Sequence, residues 1–340
     1  MTDTTDDKTL VLGLDVGGTS SRAVVADLDS RVLGVGHAGG GNPNSHPPEY
    51  AVEQTTRAAR SALSGVDRGR VGAAVLGMAG ISKLSDPGIA GRYEQAWRSL
   101  GLGCEVRTVS DSEVAFAAGT PEPSGTALIA GTGSIVARIE NHVLSRTVGG
   151  HGWLLGDEGS AFWLGREAVR VTLRALERGT GKNDPLVASV LNEVLADQPR
   201  NESDTLLCRR LISFVGDRPV KLAELAPLVT ASASEGGGKA RGIVSRAAHM
   251  LATDVLSVHA EEDERPVVLA GGLLCAEGPL GQAVRGELAE RSRAQPITAG
   301  SGAIGAAWLA ARQLVDEGEA LRLHERWFGE RTDSVLHRQV

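Results

Sequence analysis

Two short glycine-rich turns limit what this chain can fold into more than any other feature of it. Gly18-Thr19-Ser20-Ser21 and Gly131-Thr132-Gly133-Ser134 superpose without a gap. Each joins two apolar segments that read as strands, 10–14 with 21–26 and 128–130 with 135–139. A strand–turn–strand opening that occurs twice points to one domain type present in two copies; the competing explanation is that Gly-Thr turns are common. Glycine lets successive backbone N–H groups converge on one anion, and Thr19 and Thr132 would add hydroxyl donors. The copies differ at one informative position. Asp15 precedes the first turn, whereas Leu128 stands at the matching place in the second, so only the first copy offers a carboxylate to a metal ion.

The rest of the chain reads as an α/β alternation. A third strand at 31–36 is followed by a Gly/Pro/Asn loop at 39–48 and an amphipathic helix at 49–63. Residues 72–78 form an apolar strand, 92–100 a helix and 105–109 another strand. Pro121-Glu122-Pro123-Ser124-Gly125 is the best linker, and the pattern restarts after it. Helices dominate from 160 onward, including one at 241–259, with late strands at 266–270 and 296–299 and a helix at 302–314. The expected division is a smaller N-terminal α/β domain at 1–119, a larger domain with helical insertions at 120–301, and C-terminal helices at 302–340 that can pack back on the first domain.

Composition excludes several classes. A chain of 340 residues exceeds one small core. A net charge of -7 with no Lys/Arg cluster argues against a nucleic-acid partner. No apolar run is long enough for a bilayer span, and the polar start at 1–9 lacks the apolar core of a signal peptide, so a cytoplasmic protein without a membrane partner is expected. Cys104, Cys208 and Cys275 are far apart, which argues against disulfides and zinc. A homodimer is left open. Gly179-Thr180-Gly181-Lys182 and Gly236-Gly237-Gly238-Lys239 lack the other positions of a Walker loop and read as loops. Two GxGxxG matches, at 34–39 and 300–305, lack the context of a dinucleotide fold.

Gly13-Leu14-Asp15-Val16-Gly17-Gly18-Thr19 resembles the first phosphate motif of the sugar kinase, heat-shock protein and actin superfamily, and residues 128–134 resemble its second. Val268-Leu269-Ala270-Gly271-Gly272 is similar to its adenosine motif, and residues 74–80 and 302–308 to its two connecting segments. The resemblance implies an α/β, two-domain actin-like ATPase fold of ribonuclease-H-like halves, with an interdomain nucleotide cleft. Within that superfamily, Gly149-Gly150-His151-Gly152-Trp153-Leu154-Leu155-Gly156-Asp157-Glu158-Gly159-Ser160 resembles the BadF/BadG/BcrA/BcrD ATPase and N-acetylglucosamine kinase family. That family holds hexosamine kinases and also ATPase activators whose clustered cysteines bind an iron–sulfur cluster; the isolated cysteines here favour the kinases.

The resemblance implies ATP and Mg²⁺ as cofactors and a small-molecule amino sugar as acceptor. It places the phosphates on Gly17, Gly18, Thr19, Ser20, Gly131, Thr132, Gly133 and Ser134, the nucleoside on Gly271 and Gly272, and the metal on Asp15 through water. Asp111, after the strand at 105–109, stands where the family has its catalytic base; the bland alternative is a cap on the helix at 112–118. Asp157 and Glu158 either bind sugar hydroxyls or cap the helix near Ser160. Asn42 and Asn44 either contact sugar or only shape their turn. Gly150 and His151 complete the acceptor set. Animal-type N-acetylglucosamine kinases read Gly-Gly-Trp-Gly-His where this chain has Gly149-Gly150-His151-Gly152-Trp153. Histidine at 151 removes an apolar platform for an acetyl methyl, so glucosamine is the first expectation and N-acetylglucosamine the second.

Overall fold

The computed structural model describes residues 9–195, 203–216, 219–275 and 277–329, so the polar start through Lys8 lies outside the described residues, as does the Cys275 side chain. The chain divides into two compact units, one made of Met1–Ala127, Ile139–Ser145 and Ile297–Val340, the other of Leu128–Arg138 and Arg146–Pro296.

The first unit is built on β1 (Leu10–Val16), β2 (Ser20–Asp27), β3 (Val32–Gly39), β4 (Val71–Met78) and β5 (Val106–Ser110), with α1 (Pro48–Ala62), α2 (Pro87–Leu100) and α3 (Asp111–Ala117) between them. The sheet order is β3-β2-β1-β4-β5. Strands β1, β2 and β3 form an antiparallel meander, whereas β4 and β5 run parallel to β1. Strand β1 is apolar on both faces because both are covered. Leu10, Leu12 and Leu14 pack with Ala58, Ala59 and Ala62 of α1, while Val11 packs on the other face with Ala303, Ala307 and Trp308.

Close packing explains several glycines. On β3, a Cβ at Gly34 would stand 2.0 Å from the Ala62 carbonyl, and one at Gly36 only 1.9 Å from that of Ala58. The GxGxxG match at 34–39 is therefore a strand pressed against α1. Helix α2 starts five residues before the sequence expectation, because Asp86 caps it by accepting from Gly88 and Ile89 and Pro87 opens its first turn.

Next along the chain come β6 (Gly125–Ala130), β7 (Ser134–Glu140) and β8 (Val143–Gly149), of which residues 128–138 and 146–149 fall in the second unit. Helices α4 (Ala161–Glu177), α5 (Pro185–Leu195), α6 (Asp204–Val215), α7 (Ala226–Ser234) and α8 (Gly238–Leu256) follow, then β9 (Val267–Ala270), α9 (Gly272–Cys275), α10 (Pro279–Arg291) and β10 (Pro296–Thr298). Gly125 thus begins a strand and is no linker residue, and the Gly236–Lys239 run opens a helix instead of forming a free loop. The sheet order is β10-β9-β6-β7-β8. Read from its third strand, this is the order of the first sheet: a three-stranded meander with a fourth and a fifth strand beside the first. The duplication suggested by the two glycine turns extends to both sheets. A large apolar core joins α4, α7, α8 and α10 to this sheet, and the buried Arg138–Asp263 pair at 3.0 Å ties β7 to the segment before β9.

The chain ends, in the first unit, with α11 (Gly302–Ala311) and α12 (Glu317–Phe328). Small residues let α11 approach β1 and α3 backbone to backbone. A Cβ on Gly13 would stand 2.2 Å from the Ala303 carbonyl, and one on Gly305 would stand 2.2 Å from that of Val114. Gly13→Ala should therefore destabilise the protein by about 3 kcal/mol, since the clash is with backbone and cannot be relieved by a rotamer. Gly242→Ala, on an exposed position of α8 with open space around it, should gain about 0.5–1 kcal/mol. Urea midpoints of the two variants check both signs.

Candidate active site

In the first unit the candidate residues collect at the carboxyl ends of the parallel strands, where open α/β sheets bind ligands. Asp15 lies near the end of β1, in register with Gly77 of β4. Gly77 is in register with Val109 of β5, and Asp111 follows two residues later as the first residue of α3. Asp111 is not the helix cap. Ser110 caps α3 by accepting from the Ser112 N–H at 3.1 Å, and Glu113 Oε2 accepts from the Ser110 N–H at 2.6 Å, which makes a complete capping box. The Asp111 carboxylate is left to accept from the hydroxyls of Ser110 (3.2 Å) and Ser112 (3.5 Å). Burial pushes its carboxyl above the ordinary range, and those hydrogen bonds oppose the shift. Asp15 is pushed up to about 6, first by burial and then by the negative charge of Asp111, with Arg22 opposing.

The loop after β3 folds onto the first glycine turn. The N–H groups of Gly41 and Asn42 donate to the Gly17 carbonyl at 3.1 and 3.2 Å. His46 Nε2 donates to the Gly18 carbonyl at 2.7 Å, and Tyr93 reaches the Gly41 carbonyl at 3.4 Å. Gly17, Gly18, Thr19 and Ser20 are thereby held as a turn with Thr19 exposed. Asn42 accepts from the Asn44 N–H at 2.8 Å, which is the local turn chemistry weighed from sequence. Both side chains press on Gly80, whose absent Cβ would stand 2.3 Å from Asn42 Oδ1 and 2.8 Å from Asn44 Nδ2.

In the second unit the other glycine turn meets the loop before α4. Gly131 N–H donates to the Gly133 carbonyl at 2.9 Å, and the Ala161 and Phe162 N–H groups reach the carbonyls of Gly131 and Thr132. The Ser134 N–H donates to Asp157 Oδ1 at 3.3 Å and its hydroxyl to the Glu158 carbonyl at 2.8 Å. Asp157 adopts a left-handed backbone, φ 59°, a conformation that aspartate tolerates better than most non-glycine residues. Neither Asp157 nor Glu158 caps the helix; Ser160 does, accepting from Trp163. Gly150 donates its N–H to the Ser134 carbonyl at 3.0 Å. His151 and Glu158 are exposed and flank Gly156, with His151 Cβ 3.2 Å and Glu158 Oε2 3.6 Å from its Cβ position. Gly271, φ 90°, lies against Ala130, with its Cβ position 2.3 Å from the Ala130 carbonyl, and Gly272 opens α9 beside it.

One residue escapes the motifs altogether. Asp254, on α8, lines a cavity of about 230 Å³ with Glu158, His249, Met250 and Thr253. Burial raises its carboxyl, the Glu158 charge adds to that, and His151 opposes it. Asp157 is raised in the same way by burial and by Glu158, with Ser134 and His151 opposing. Asp254 sits in an ordinary amphipathic helix far along the chain, and only its neighbours in space give it away. His46, which pins the first turn, was likewise hidden in a loop read as turn chemistry.

Two α/β units with one strand order, each opening on a glycine turn, define a two-domain actin-like fold. The profile of the BadF/BadG/BcrA/BcrD ATPase family matches residues 12–310, and the chain belongs to that family. It is 31% identical over 170 residues to an N-acetylmuramic acid/N-acetylglucosamine kinase of Clostridium acetobutylicum, a match covering 49% of this chain and 55% of that protein. The chain thus spans about half the length of that relative. It is 28% identical over 294 residues to an N-acetyl-D-glucosamine kinase of Dictyostelium discoideum, covering 80% of this chain and 88% of the other. Among solved structures, a candidate N-acetylglucosamine kinase from Chromobacterium violaceum shares the fold at a TM-score of 0.70, with 24% identity over 89% of this chain and 99% of its own. No helix among the described residues is long and apolar enough to cross a membrane.

The Asp15 shift has a consequence in the absence of ligands. A carboxyl at 3.8 when unfolded and about 6 when folded costs stability above pH 6, and the cost vanishes as pH falls toward 4, because the folded state then binds the extra proton. Asp15→Asn should raise Tm at pH 7.5, and the gain should shrink steadily through pH 6 to about zero at pH 4. Paired thermal scans at these pH values test it; a gain independent of pH would show that the charge of Asp15 is not strained.

Proposed function

We propose that this protein is an ATP-dependent hexosamine kinase that transfers the γ-phosphoryl group to a hydroxyl of an amino sugar, with glucosamine as first acceptor and glucosamine 6-phosphate as product. The observation that carries the reading is Asp111: a half-buried carboxylate at the end of a parallel strand, released from capping by Ser110 and Glu113. A carboxylate raised by burial is a better proton acceptor than a solvated one. In the proposed step the acceptor hydroxyl gives its proton to Asp111 as its oxygen bonds to the γ-phosphorus, and the bond from phosphorus to the β-phosphate oxygen breaks to release ADP. Each glycine turn, Gly17–Ser20 in the first unit and Gly131–Ser134 in the second, offers amides and hydroxyls to phosphate oxygens, and Gly271 and Gly272 leave room for a nucleoside. Names of relatives that carry N-acetylglucosamine support the acceptor class.

Magnesium fits the residues present. Among the described residues no group of three or more His, Cys, Asp or Glu side chains could hold a metal. Mg²⁺ needs no such cage, because it is commonly held by one or two carboxylates together with substrate phosphates and water. Asp15 supplies a hard oxygen donor beside the first turn, and the cation would offset the strain between Asp15 and Asp111 while neutralising phosphate charge.

Asp111→Asn should lower turnover by roughly 10²–10⁴-fold with sugar binding retained. ADP release with saturating sugar, beside sugar affinity by calorimetry, measures both, and near-normal turnover would remove the base assignment. The acceptor is decided at C2. Asp157, Glu158 and Asp254 make the surroundings of His151 acidic, which favours a protonated 2-amino group by roughly one to two decades if one charged hydrogen bond forms. We expect a higher kcat/KM for glucosamine than for N-acetylglucosamine, loss of both sugars in Asp157→Asn, and loss mainly of the preference in Glu158→Gln. A clear preference for the acetylated sugar would reverse the substrate choice and leave the kinase reading standing.

A further inference from the structure

The first glycine turn owes its orientation to a segment that no motif marks. Its two leading carbonyls are both engaged by the loop after β3. Gly17 accepts from the N–H groups of Gly41 and Asn42 at 3.1 and 3.2 Å, and Gly18 accepts from His46 Nε2 at 2.7 Å. The peptides are trans, and a planar trans peptide sets its N–H opposite its C=O. Carbonyls turned toward the loop therefore turn the N–H groups of Gly18 and Thr19 away from it. Gly18 is half-buried and Thr19 exposed, and neither N–H has a hydrogen-bond partner among the described residues. Two successive free amides in a turn are ready donors for an anion.

The two carbonyls are held in different ways. Gly17 is held by backbone N–H groups, which residues of many kinds at 41 and 42 could supply. Gly18 is held by one side chain. His46 is itself fixed on several sides. Its N–H donates to the Asn42 carbonyl at 3.1 Å, and its ring packs on Tyr50 with centroids 5.2 Å apart. Pro47 follows it, which disfavours helical backbone at His46, and α1 begins only at Pro48. Gly40 leaves the imidazole its space, since a Cβ there would stand 2.6 Å from Nε2.

We propose that His46 is a positioning residue for phosphate binding: through the Gly18 carbonyl it fixes the peptide whose N–H, that of Thr19, meets a phosphate oxygen. The inference rests on the reading of Gly17–Ser20 as a phosphate turn. His46 acts through the turn and not on the phosphate. Without its hydrogen bond the peptide after Gly18 is free to rotate, because glycine restrains its own backbone so little. Binding must then order what the imidazole had ordered in advance, and affinity falls.

Calorimetric titration of the full chain with AMP-PNP and Mg²⁺, repeated on His46→Asn and His46→Gln, tests the proposal. The amide nitrogen of glutamine lies as many bonds from Cβ as Nε2 does, whereas that of asparagine stops one bond short. Adenosine, which carries no phosphate, is measured beside it by competition. His46→Asn should weaken AMP-PNP roughly three- to tenfold and leave adenosine unchanged. His46→Gln should restore AMP-PNP to within about twofold of the unmodified chain. Undiminished AMP-PNP affinity in His46→Asn would overturn the role of His46. So would equal losses in both variants, which would trace the effect to ring packing, or a matching loss for adenosine, which would mean general damage. These three outcomes leave the phosphate reading of the turn standing. No binding of AMP-PNP by the unmodified chain would take down both together.

Discussion

The backbone contact between β1 and α11 sets the geometry on which the first unit depends. Gly13 and Gly305 remove their own side chains from the contact, so the α11 backbone lies against β1 at the first and against α3 at the second. The next glycine along, Gly302, brings the start of α11 within 2.4 Å, at its Cβ position, of Asp15 Oδ2. Asp15 cannot swing away from the end of β1, and α3, which carries Asp111, is fixed by the same helix. Packing density becomes a statement about two carboxylates: because the backbones touch, neither can relax away from the other.

That placement is electrostatically unfavourable, and the cost is informative. Burial raises Asp15, Asp111, Asp157 and Asp254, and in three of the four a neighbouring carboxylate adds to the shift. Structural carboxylates behave differently in this same chain. Asp263, paired with Arg138 and Arg265, is held well below the ordinary range. The contrast separates groups that the fold neutralises from groups that it leaves raised by burial, Asp15 and Asp111 in the first unit and Asp157 and Asp254 in the second, and perturbed carboxylates of this kind mark candidate functional residues.

Much of the fold was legible because its strands are apolar on both faces and its turns are marked by glycine. The strands at 10–14, 72–78 and 266–270 were placed within a residue or two of β1, β4 and β9. Strand β8, with its exposed and charged residues, carries no such pattern and went unread. The candidate residues in glycine motifs were legible as motifs, yet their alternatives were not resolvable in one dimension. Whether Asp111 caps α3 depends on whether Ser110 or Asp111 is the last residue outside the helix, and a shift of one residue decides it. Asp254 was illegible for a stronger reason: its relation to Glu158 and His151 arises only when α8 packs beside the loop that precedes α4.

The duplication is where sequence and structure inform each other most. Both sheets repeat one strand order and both open on a glycine turn, yet Asp15 in the first copy answers to Leu128 in the second. Leu128 is buried in the core of its unit, so the second copy spends the position on packing. Its carboxylate comes instead from Asp157, which reaches Ser134 of the turn from another loop by taking up a left-handed backbone. A carboxylate on the strand itself is held by the sheet and points with the strand end, whereas one delivered from a separate loop depends on that loop's own conformation. Two copies of one architecture have in this way brought a carboxylate to equivalent turns by different routes, one from the strand that leads into the turn and the other from a loop that packs against it.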